Sequence, residues 1–562
     1  MRNIYPFGKA PFVILIIAII SGIVFCGMRI NELRKAKERP DLIMAFQAEI
    51  HEELYREAVK KFVEDKNNYI VDEKTGELRP PRIILQRVQK EVLMDWLQAA
   101  MQTGYDVPDL VELLEGTIGY FTRGRIENVG FVDLTEKLRA EELLDEKNIV
   151  TSRYSLWSSR GHIFAIPHDV HPAGLCYRVD LIKKLGIDVS QLKTWDDFVR
   201  VGQQVTGEWE ETDKALGIEK GSKRYMIDFA DDSTISLQIL FTQRGCDFFD
   251  EQGNVAFNRP EMAELIAWFV HQTRGKNLIS FPAGDGQNFY QAMNSGRQLF
   301  FLTPDWRSKQ FSFDNPKQQG NLALMPMPVW SDKDGKILPH TYLSGPWGGS
   351  GLAITKHCKN QDLAWKFAKF LYTDATNEEF AYRFQKTNIL PPIKRAWTAK
   401  ELQEPSNFYM TMQDDNGNLL RDAEGNMTAE KLSIGKFYSS LADKSNGVAP
   451  RYVTAYTSQA ETQFLNVYYA ARAFYEKHEG EKDVDERMMA LIKEGLAEKA
   501  AYIEKLIRHN YFLSAEKEEN AAAAAKTEPA AAAKTEPSAE TNGSTAETTD
   551  AAVSAADASG VY

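Results

Sequence analysis

The pattern of apolar and polar positions predicts that strands and helices alternate in the first part of the chain. Residues 51–66 and 92–101 place apolar side chains three and four positions apart, the spacing of one helical face. The short apolar runs of strand length around these helices are residues 41–45, 82–85 and 108–113. The order strand, helix, strand, helix, strand predicts a parallel sheet. Ligands on such sheets bind beyond the carboxyl ends of the strands, so we expect the loop 114–120, with Glu115, to face a cleft.

The pattern continues through the middle of the chain. Thr194 precedes a helix whose first turn carries Asp196 and Asp197, so it is a favourable N-cap residue beside a favourable pair of acids. Further helices are predicted over residues 261–272, 288–293, 361–371 and much of 460–509, and strands over 299–302, 322–325 and 352–354. The mixture predicts an α/β protein.

Both ends of the chain differ from this pattern. Residues 11–28 carry no charge and have about the minimum length of a membrane span, which predicts an uncleaved signal anchor. A cleaved export signal and lipid modification at Cys26 remain alternatives. Residues 514–562 repeat the sequence AKTEP and contain almost no large apolar side chains, so we expect a disordered tail.

Length and charge narrow the class of protein. The chain has 562 residues, and the part between its two ends is long enough for two domains. Its net charge of −12 argues against nucleic-acid binding, which requires neutralisation of phosphates. The four cysteines are too far apart for a zinc site or a disulfide framework, although a single Cys176–Cys246 bridge stays open.

A series of short motifs resembles one known family. In chain order the matching segments are 107–111, 131–134, 161–169, 175–180, 194–198, 243–253, 304–306, 325–328, 348–354 and 364–367. Their order resembles that of the family 1 extracellular solute-binding proteins of ABC importers, the maltose and multiple-sugar-binding type. The resemblance covers roughly residues 40–400 of this chain. Arg178 stands where the family usually has Asn.

The resemblance implies a two-lobe periplasmic-binding-protein fold of class II. Each lobe is expected to be a mainly parallel sheet flanked by helices, with a hinge between the lobes, a helical C-terminal region and crossings near 170–175 and 345–350. The implied parts are an anchor or export signal at 1–39, lobe I at 40–172 plus 349–400, lobe II at 173–348 plus 401–513, and the tail.

The resemblance also implies a function. A monomer outside the cytoplasm, tethered to the membrane by its N-terminal segment, would capture a sugar or sugar-like solute by closure of its lobes. It would then deliver this solute to an ABC permease in the membrane, without a cofactor and without acting as an enzyme.

A sugar needs aromatic rings against its C–H faces and charged or amide groups for its hydroxyls. Trp306 matches the ligand-stacking Trp of the family, and Asp169 matches its hydrogen-bond acceptor. The full set of candidate ligand-binding residues is Trp306, Trp347, Asp169, Asp305, Trp157, Glu115 and Tyr452.

Other functions remain open at this point. His168 and His171 flank Asp169, so a metal-binding transport protein is one alternative, and the acidic body keeps a polyamine carrier as another. A membrane-anchored carbohydrate hydrolase would need two carboxylates at a fixed separation across the sugar, which sequence cannot identify among so many acids. A structural anchor that binds wall material is a third class.

Overall fold

The computed structural model describes residues 39–207, 223–284 and 286–513. Its strands are β1 Leu42–Phe46, β2 Ile70–Val71, β3 Leu78–Arg79, β4 Ile83–Arg87, β5 Leu110–Leu114, β6 Ser158–Ser159, β7 His162–Ile163, β8 Ala165–Pro167, β9 Ala173–Arg178, β10 Tyr225–Asp228, β11 Gln298–Pro304, β12 Leu322–Met325, β13 Ser350–Ile354, β14 Tyr409–Thr411 and β15 Glu430–Lys431.

The α-helices, numbered in chain order among the described residues, are α1 Glu49–Glu64, α2 Lys90–Thr103, α3 Ile118–Phe121, α4 Thr135–Ala140, α5 Val179–Leu185, α6 Trp195–Val205, α7 Ile235–Gln243, α8 Pro260–Thr273, α9 Gly286–Ser295, α10 Asp305–Asp314, α11 Gln361–Tyr372, α12 Asn377–Thr387, α13 Lys400–Gln403, α14 Ile434–Ala442, α15 Thr457–His478 and α16 Val484–His509.

Lobe I is built on a five-stranded sheet of order β4-β1-β5-β13-β8. Strand β1 pairs in parallel with both β4 and β5, so the predicted parallel arrangement of the first three strands is confirmed. Strand β13 comes from much later in the chain and lies antiparallel between β5 and β8.

Both faces of this sheet are covered, because alternate side chains of its strands enter different apolar clusters. On one face, Leu42 and Met44 pack with Tyr55 and Phe62 of α1. On the other face, Ala45, Val111 and Leu113 pack with Leu93 and Leu97 of α2. The sheet therefore holds its carboxyl-terminal loops on a rigid, buried base.

Lobe II is built on a six-stranded sheet of order β10-β11-β9-β12-β14-β15. Strand β9 runs antiparallel to both of its neighbours, whereas β10 with β11 and β12 with β14 are parallel pairs. The long helices α15 and α16 pack on the core of this lobe through Phe464, Met488 and Ile492, among others.

Three stretches of chain lie side by side between the two sheets. The first crossing segment (168–173) and the second crossing segment (344–349) form an antiparallel bridge at Pro172 and Pro346. A third segment (446–455) pairs in parallel with the second through Val448 and Ser344. The first two lie where the sequence places crossings, whereas the third was not anticipated.

The sequence explains several element boundaries. Thr194 caps α6, because its hydroxyl accepts from the amide of Asp197 while the Asp197 carboxylate accepts from the amide of Thr194. Gly104 ends α2 in the left-handed conformation, with φ of +67°.

Some predictions fall outside the described residues, namely the anchor or export signal over nearly all of its length, including Cys26, and the tail. Within the described ranges, no helix has the length and apolar character needed to cross a membrane. Cys176, Cys246 and Cys358 are buried free thiols, so the Cys176–Cys246 bridge that the sequence left open is not formed.

Candidate functional site

The second crossing segment forms the backbone of the candidate site. Three successive carbonyls in it accept hydrogen bonds from residues of different elements. The Trp347 carbonyl accepts from Trp306 Nε1 at 3.1 Å, and the Gly348 carbonyl accepts from Arg153 Nη2 at 2.9 Å. The Gly349 carbonyl accepts from the amide of Glu115 at 2.9 Å. This segment therefore brings groups of both lobes together.

Trp306 and Trp347 lie side by side at this segment. Their ring centroids are 5.5 Å apart and their planes meet at 76°, an edge-to-face arrangement. Both side chains remain partly exposed. The guanidinium carbon of Arg307 lies 4.9 Å from the Trp347 ring centroid, on the same helix α10 that carries Trp306. The pair thus offers an accessible aromatic surface next to the contact between the lobes.

His171 connects a carboxylate of each lobe. Its Nδ1 lies 2.6 Å from Oδ1 of Asp305, at the start of α10, and its Nε2 lies 3.2 Å from Oδ2 of Asp169. The second Asp305 oxygen accepts from the amide of Leu390 at 2.7 Å, and Oδ2 of Asp169 accepts from the amide of Ser350 at 2.9 Å. All three side chains are buried, so these contacts fix the first crossing segment.

The charges of this group follow from its geometry. Burial alone lowers the pKa of the His171 imidazole, but the carboxylates of Asp169 and Asp305 raise it to about 10. Burial alone raises the pKa of Asp169, but the charge of His171 and the hydrogen bonds from His168 and His171 hold it well below its usual range. His171 is therefore a buried imidazolium at neutral pH.

A second buried polar cluster supports Asp169 from within lobe I. His51 Nδ1 lies 2.8 Å from Oε2 of Glu112, which also accepts a hydrogen bond from the Tyr55 hydroxyl. The His168 ring packs against His51, with centroids 4.5 Å apart, and also against Tyr372. His168 in turn reaches Asp169 Oδ2 through its Nδ1 at 3.3 Å. The orientation of Asp169 is thus fixed from two sides.

Arg451 of the third segment connects a carboxylate of each lobe, as His171 does in the first crossing segment. Its Nε donates to Oδ2 of Asp247 in lobe II at 3.2 Å, and its Nη1 lies 3.8 Å from Oε2 of Glu115 in lobe I. The amide of Tyr452 also donates to Asp247 Oδ2, at 2.8 Å, and the Tyr452 side chain is partly exposed. Of the predicted candidates, Glu115 therefore faces Arg451, and Tyr452 follows Arg451 in the chain and shares its partner Asp247.

Trp157 is buried, as are Asp169 and Asp305 among the candidates. A Cβ added to Gly351 would lie 2.6 Å from the Trp157 ring. Trp157 therefore packs under strand β13, whereas Trp306, Trp347, Glu115 and Tyr452 retain contact with solvent.

Sequence reasoning missed the two arginines of the site, Arg153 and Arg451, because a single arginine gives no local pattern. In the described residues, no group of three or more His, Cys, Asp or Glu side chains is arranged to hold a metal ion. His168 and His171 instead contact the carboxylate between them in the sequence, Asp169.

The sequence of this chain is similar to those of known proteins. Residues 80–378 match the family model of the bacterial extracellular solute-binding proteins. The arabinooligosaccharide-binding protein of Halalkalibacterium halodurans is 23% identical over 370 residues, covering 65% of this chain and 76% of the relative. The arabinooligosaccharide-binding protein of Bacillus subtilis is 24% identical, covering 66% and 77%.

Solved structures share the fold. The sugar-binding protein MalE from the phytopathogen Xanthomonas citri aligns with a TM-score of 0.57 at 14% identity, covering 82% of this chain and 99% of that chain. This likeness confirms the predicted two-lobe periplasmic-binding-protein fold. The likeness concerns the fold alone.

Proposed function

Because this chain belongs to the bacterial extracellular solute-binding proteins, we propose that it captures an oligosaccharide outside the cytoplasm and delivers it to the permease of an ABC importer. Membership of this family makes the chain a binding protein rather than an enzyme, as the sequence predicted. We therefore expect the ligand to be bound and released unchanged.

One observation supports a sugar ligand most directly. Trp306 and Trp347 present a partly exposed aromatic surface beside the buried charged groups of the crossing segments. Aromatic rings pack against the C–H faces of sugars, and charged groups bind their hydroxyls. The names of the relatives suggest arabino-oligosaccharides as the first ligands to examine.

We propose that Trp306, Trp347, Glu115 and Tyr452 contact the sugar, since these candidates are partly exposed. Asp169, Asp305 and Trp157 are buried behind them, and we propose that they hold this surface in place. Asp169 supports it through His171, and Trp157 supports it from beneath strand β13.

We propose the lobe boundaries given by the sequence: residues 40–172 plus 349–400 for lobe I and 173–348 plus 401–513 for lobe II. Every strand of the five-stranded sheet lies within the first set of ranges, and every strand of the six-stranded sheet lies within the second. The two helices after residue 456 pack on lobe II, in agreement with this division.

The test is isothermal titration of the purified protein with three neutral probes, arabinotriose, lactose and maltotetraose, followed by chromatography of the recovered sugar. We expect at least one probe to bind and to be recovered intact. Absence of binding by all three probes, or cleavage of a bound probe, contradicts the proposed function.

The aromatic surface is tested by Trp306→Ala and Trp347→Ala. Each substitution removes a stacked ring worth ~1 kcal/mol beyond its buried area, so we expect affinity to fall about tenfold. Trp96→Ala is the matched control, because Trp96 is also partly buried but packs against the core of lobe I. Unchanged affinity in both site variants contradicts the proposed role of the ring pair.

We propose that the protein works as a monomer tethered by residues 1–39, which include the uncharged run 11–28. Expression of the full chain, followed by separation of membranes and N-terminal sequencing, tests the tether. We expect the protein in the membrane fraction with Met1 or its neighbour as the first residue. A soluble product that begins beyond residue 28 identifies a cleaved export signal instead.

A further inference from the structure

Glu115 and Arg451 form an ion pair that does not close into a hydrogen bond. Arg451 Nη1 lies 3.8 Å from Glu115 Oε2, beyond hydrogen-bonding distance. Both atoms are buried, and neither has a hydrogen-bond partner in the described structure. A buried donor or acceptor without a partner costs roughly 1–3 kcal/mol. The two side chains are therefore expected to approach to hydrogen-bonding distance unless another group supplies their hydrogen bonds.

The other bonds of Arg451 explain why it does not move toward Glu115. Its Nε donates to Asp247, and its backbone amide donates to Ser155 Oγ at 3.1 Å. The Arg451 side chain is only 5% exposed and is held in place by these contacts. Glu115 is held by its own amide, which donates to the Gly349 carbonyl, but 28% of its side chain stays exposed. The Glu115 side chain therefore extends to the surface, while its Oε2 and Arg451 Nη1 are covered in this arrangement of the lobes and become accessible when the lobes open.

We infer that Arg451 and Glu115 together bind one hydroxyl group of the ligand, which donates to Glu115 Oε2 and accepts from Arg451 Nη1. This inference rests on the proposed function and adds a residue and a ligand class to it. A hydroxyl oxygen about 2.8 Å from each atom fits against two atoms 3.8 Å apart, and it satisfies both at once.

The same pair selects against charged ligands. A carboxylate or an ammonium group placed here meets one like and one opposite charge of this pair. Attraction and repulsion therefore largely cancel, and the cost of burying the ligand's own charge is not offset. A hydroxyl avoids this cost, because it both donates and accepts. The geometry thus favours neutral oligosaccharides over uronic-acid oligomers, and it argues against the polyamine alternative.

Arg451 also links this hydroxyl to the arrangement of the lobes. It contacts Asp247 of lobe II and faces Glu115 of lobe I from the third segment. A ligand hydroxyl at Arg451 therefore touches a group that joins both lobes, and removal of Arg451 should reduce the compaction caused by ligand as well as affinity.

The test compares the wild type, Glu115→Gln, Arg451→Gln and the double variant by titration with arabinotriose, lactose and maltotetraose. For a probe that binds the wild type, we expect each single variant to bind about tenfold more weakly or worse. Glu115 and Arg451 are proposed to bind the same ligand hydroxyl, so the losses of affinity should not add. The double variant should therefore bind about as tightly as the single variant with the lower affinity. Arg421→Gln is the control for loss of a positive charge, since the Arg421 guanidinium contacts Gly425 and Asp188, which are not candidate ligand-binding residues.

A second variant of Arg451 and two charged probes complete the test. Arg451→Lys keeps the positive charge beside Asp247 and replaces Arg451→Gln if that variant fails to fold. We expect Arg451→Lys also to bind the neutral probe more weakly than the wild type does. Trigalacturonate and spermidine should bind the wild type at least about tenfold more weakly than the neutral probe. Wild-type affinity in both single variants, or tight binding of either charged probe, overturns this inference alone. Failure of the wild type to bind any neutral probe overturns the proposed function and this inference with it.

Discussion

At the scale of single residues, His171 combines two unusual features. Its φ of +53° lies in the left-handed region, which side-chain-bearing residues rarely adopt, and its imidazole is buried between Asp169 and Asp305. The other titratable groups nearby are His168, whose pKa is lowered by burial and which contacts Asp169, and Arg153, whose Nη2 lies 3.7 Å from Oδ1 of Asp169. The strained backbone is retained because the side chain makes two charged contacts.

This setting predicts a dependence of stability on pH. The pKa of His171 rises from 6.5 to about 10 on folding, so its contribution to the free energy of unfolding is fully present below about pH 6.5 and is lost as the pH rises through about 10. We expect the free energy of unfolding, measured by denaturant titration, to fall more over this pH interval for the wild type than for His171→Gln. His162→Gln, a change at a half-exposed histidine, serves as the control, and parallel profiles for the wild type and His171→Gln contradict the prediction.

The chemistry of the site was only partly accessible from the sequence. Asp169 and Asp305 were selected from the sequence as separate candidates, and the structure joins them through His171. The sequence suggested His171 only as a metal ligand. Arg153 and Arg451 escaped notice because their partners lie far away along the chain. Which carboxylate an arginine meets is decided by tertiary packing and not by local spacing.

At the scale of elements, the N-terminus of α6 depends on its capping box. Replacement of Thr194 by alanine removes the acceptor for the Asp197 amide and leaves that amide unpaired. We expect Thr194→Ala to lower the free energy of unfolding by about 1 kcal/mol in a denaturant titration. Thr462→Ala, at an exposed position inside α15, should leave stability unchanged or slightly raised, because alanine has the higher helix propensity. Equal effects of the two changes would refute the capping argument.

Regular elements were predictable where they carry a clear period. The predicted strand 322–325 coincides with β12, and the predicted helix 361–371 differs from α11 by one residue. The third segment (446–455) was missed because it has no regular period and is ordered by contacts with the other two segments. The antiparallel position of β13 was equally hidden, since strand order depends on residues far apart in sequence.

At the scale of the whole molecule, the start of α10 joins lobe II to lobe I. Asp305 accepts from His171 and from the Leu390 amide, and Ser308 accepts from Asn388 Nδ2 at 2.9 Å. Lys309 Nζ also donates to the Gln385 carbonyl at 2.6 Å. These contacts hold the lobes together near the aromatic pair.

Loss of the Asp305 carboxylate should therefore loosen the molecule. We expect Asp305→Asn to increase the radius of gyration of the ligand-free protein in small-angle X-ray scattering, because His171 loses its charged partner in lobe II. Asp314→Asn changes the other end of the same helix, where the carboxylate accepts a hydrogen bond from Tyr290 within lobe II, and should leave the radius unchanged. Identical radii for the wild type and Asp305→Asn contradict this prediction.

The place of β13 in the first sheet also affects how the chain folds during synthesis. Strand β8 pairs only with β13 among the described strands, and β13 is made long after β8 has left the ribosome. An unfinished chain therefore lacks the strand that joins β8 to the rest of this sheet, and the edges of β5 and β8 stay unpaired. Stable folding of this lobe is postponed until residues 350–354 have been made, which suits an extracellular protein that has to cross a membrane before it acts.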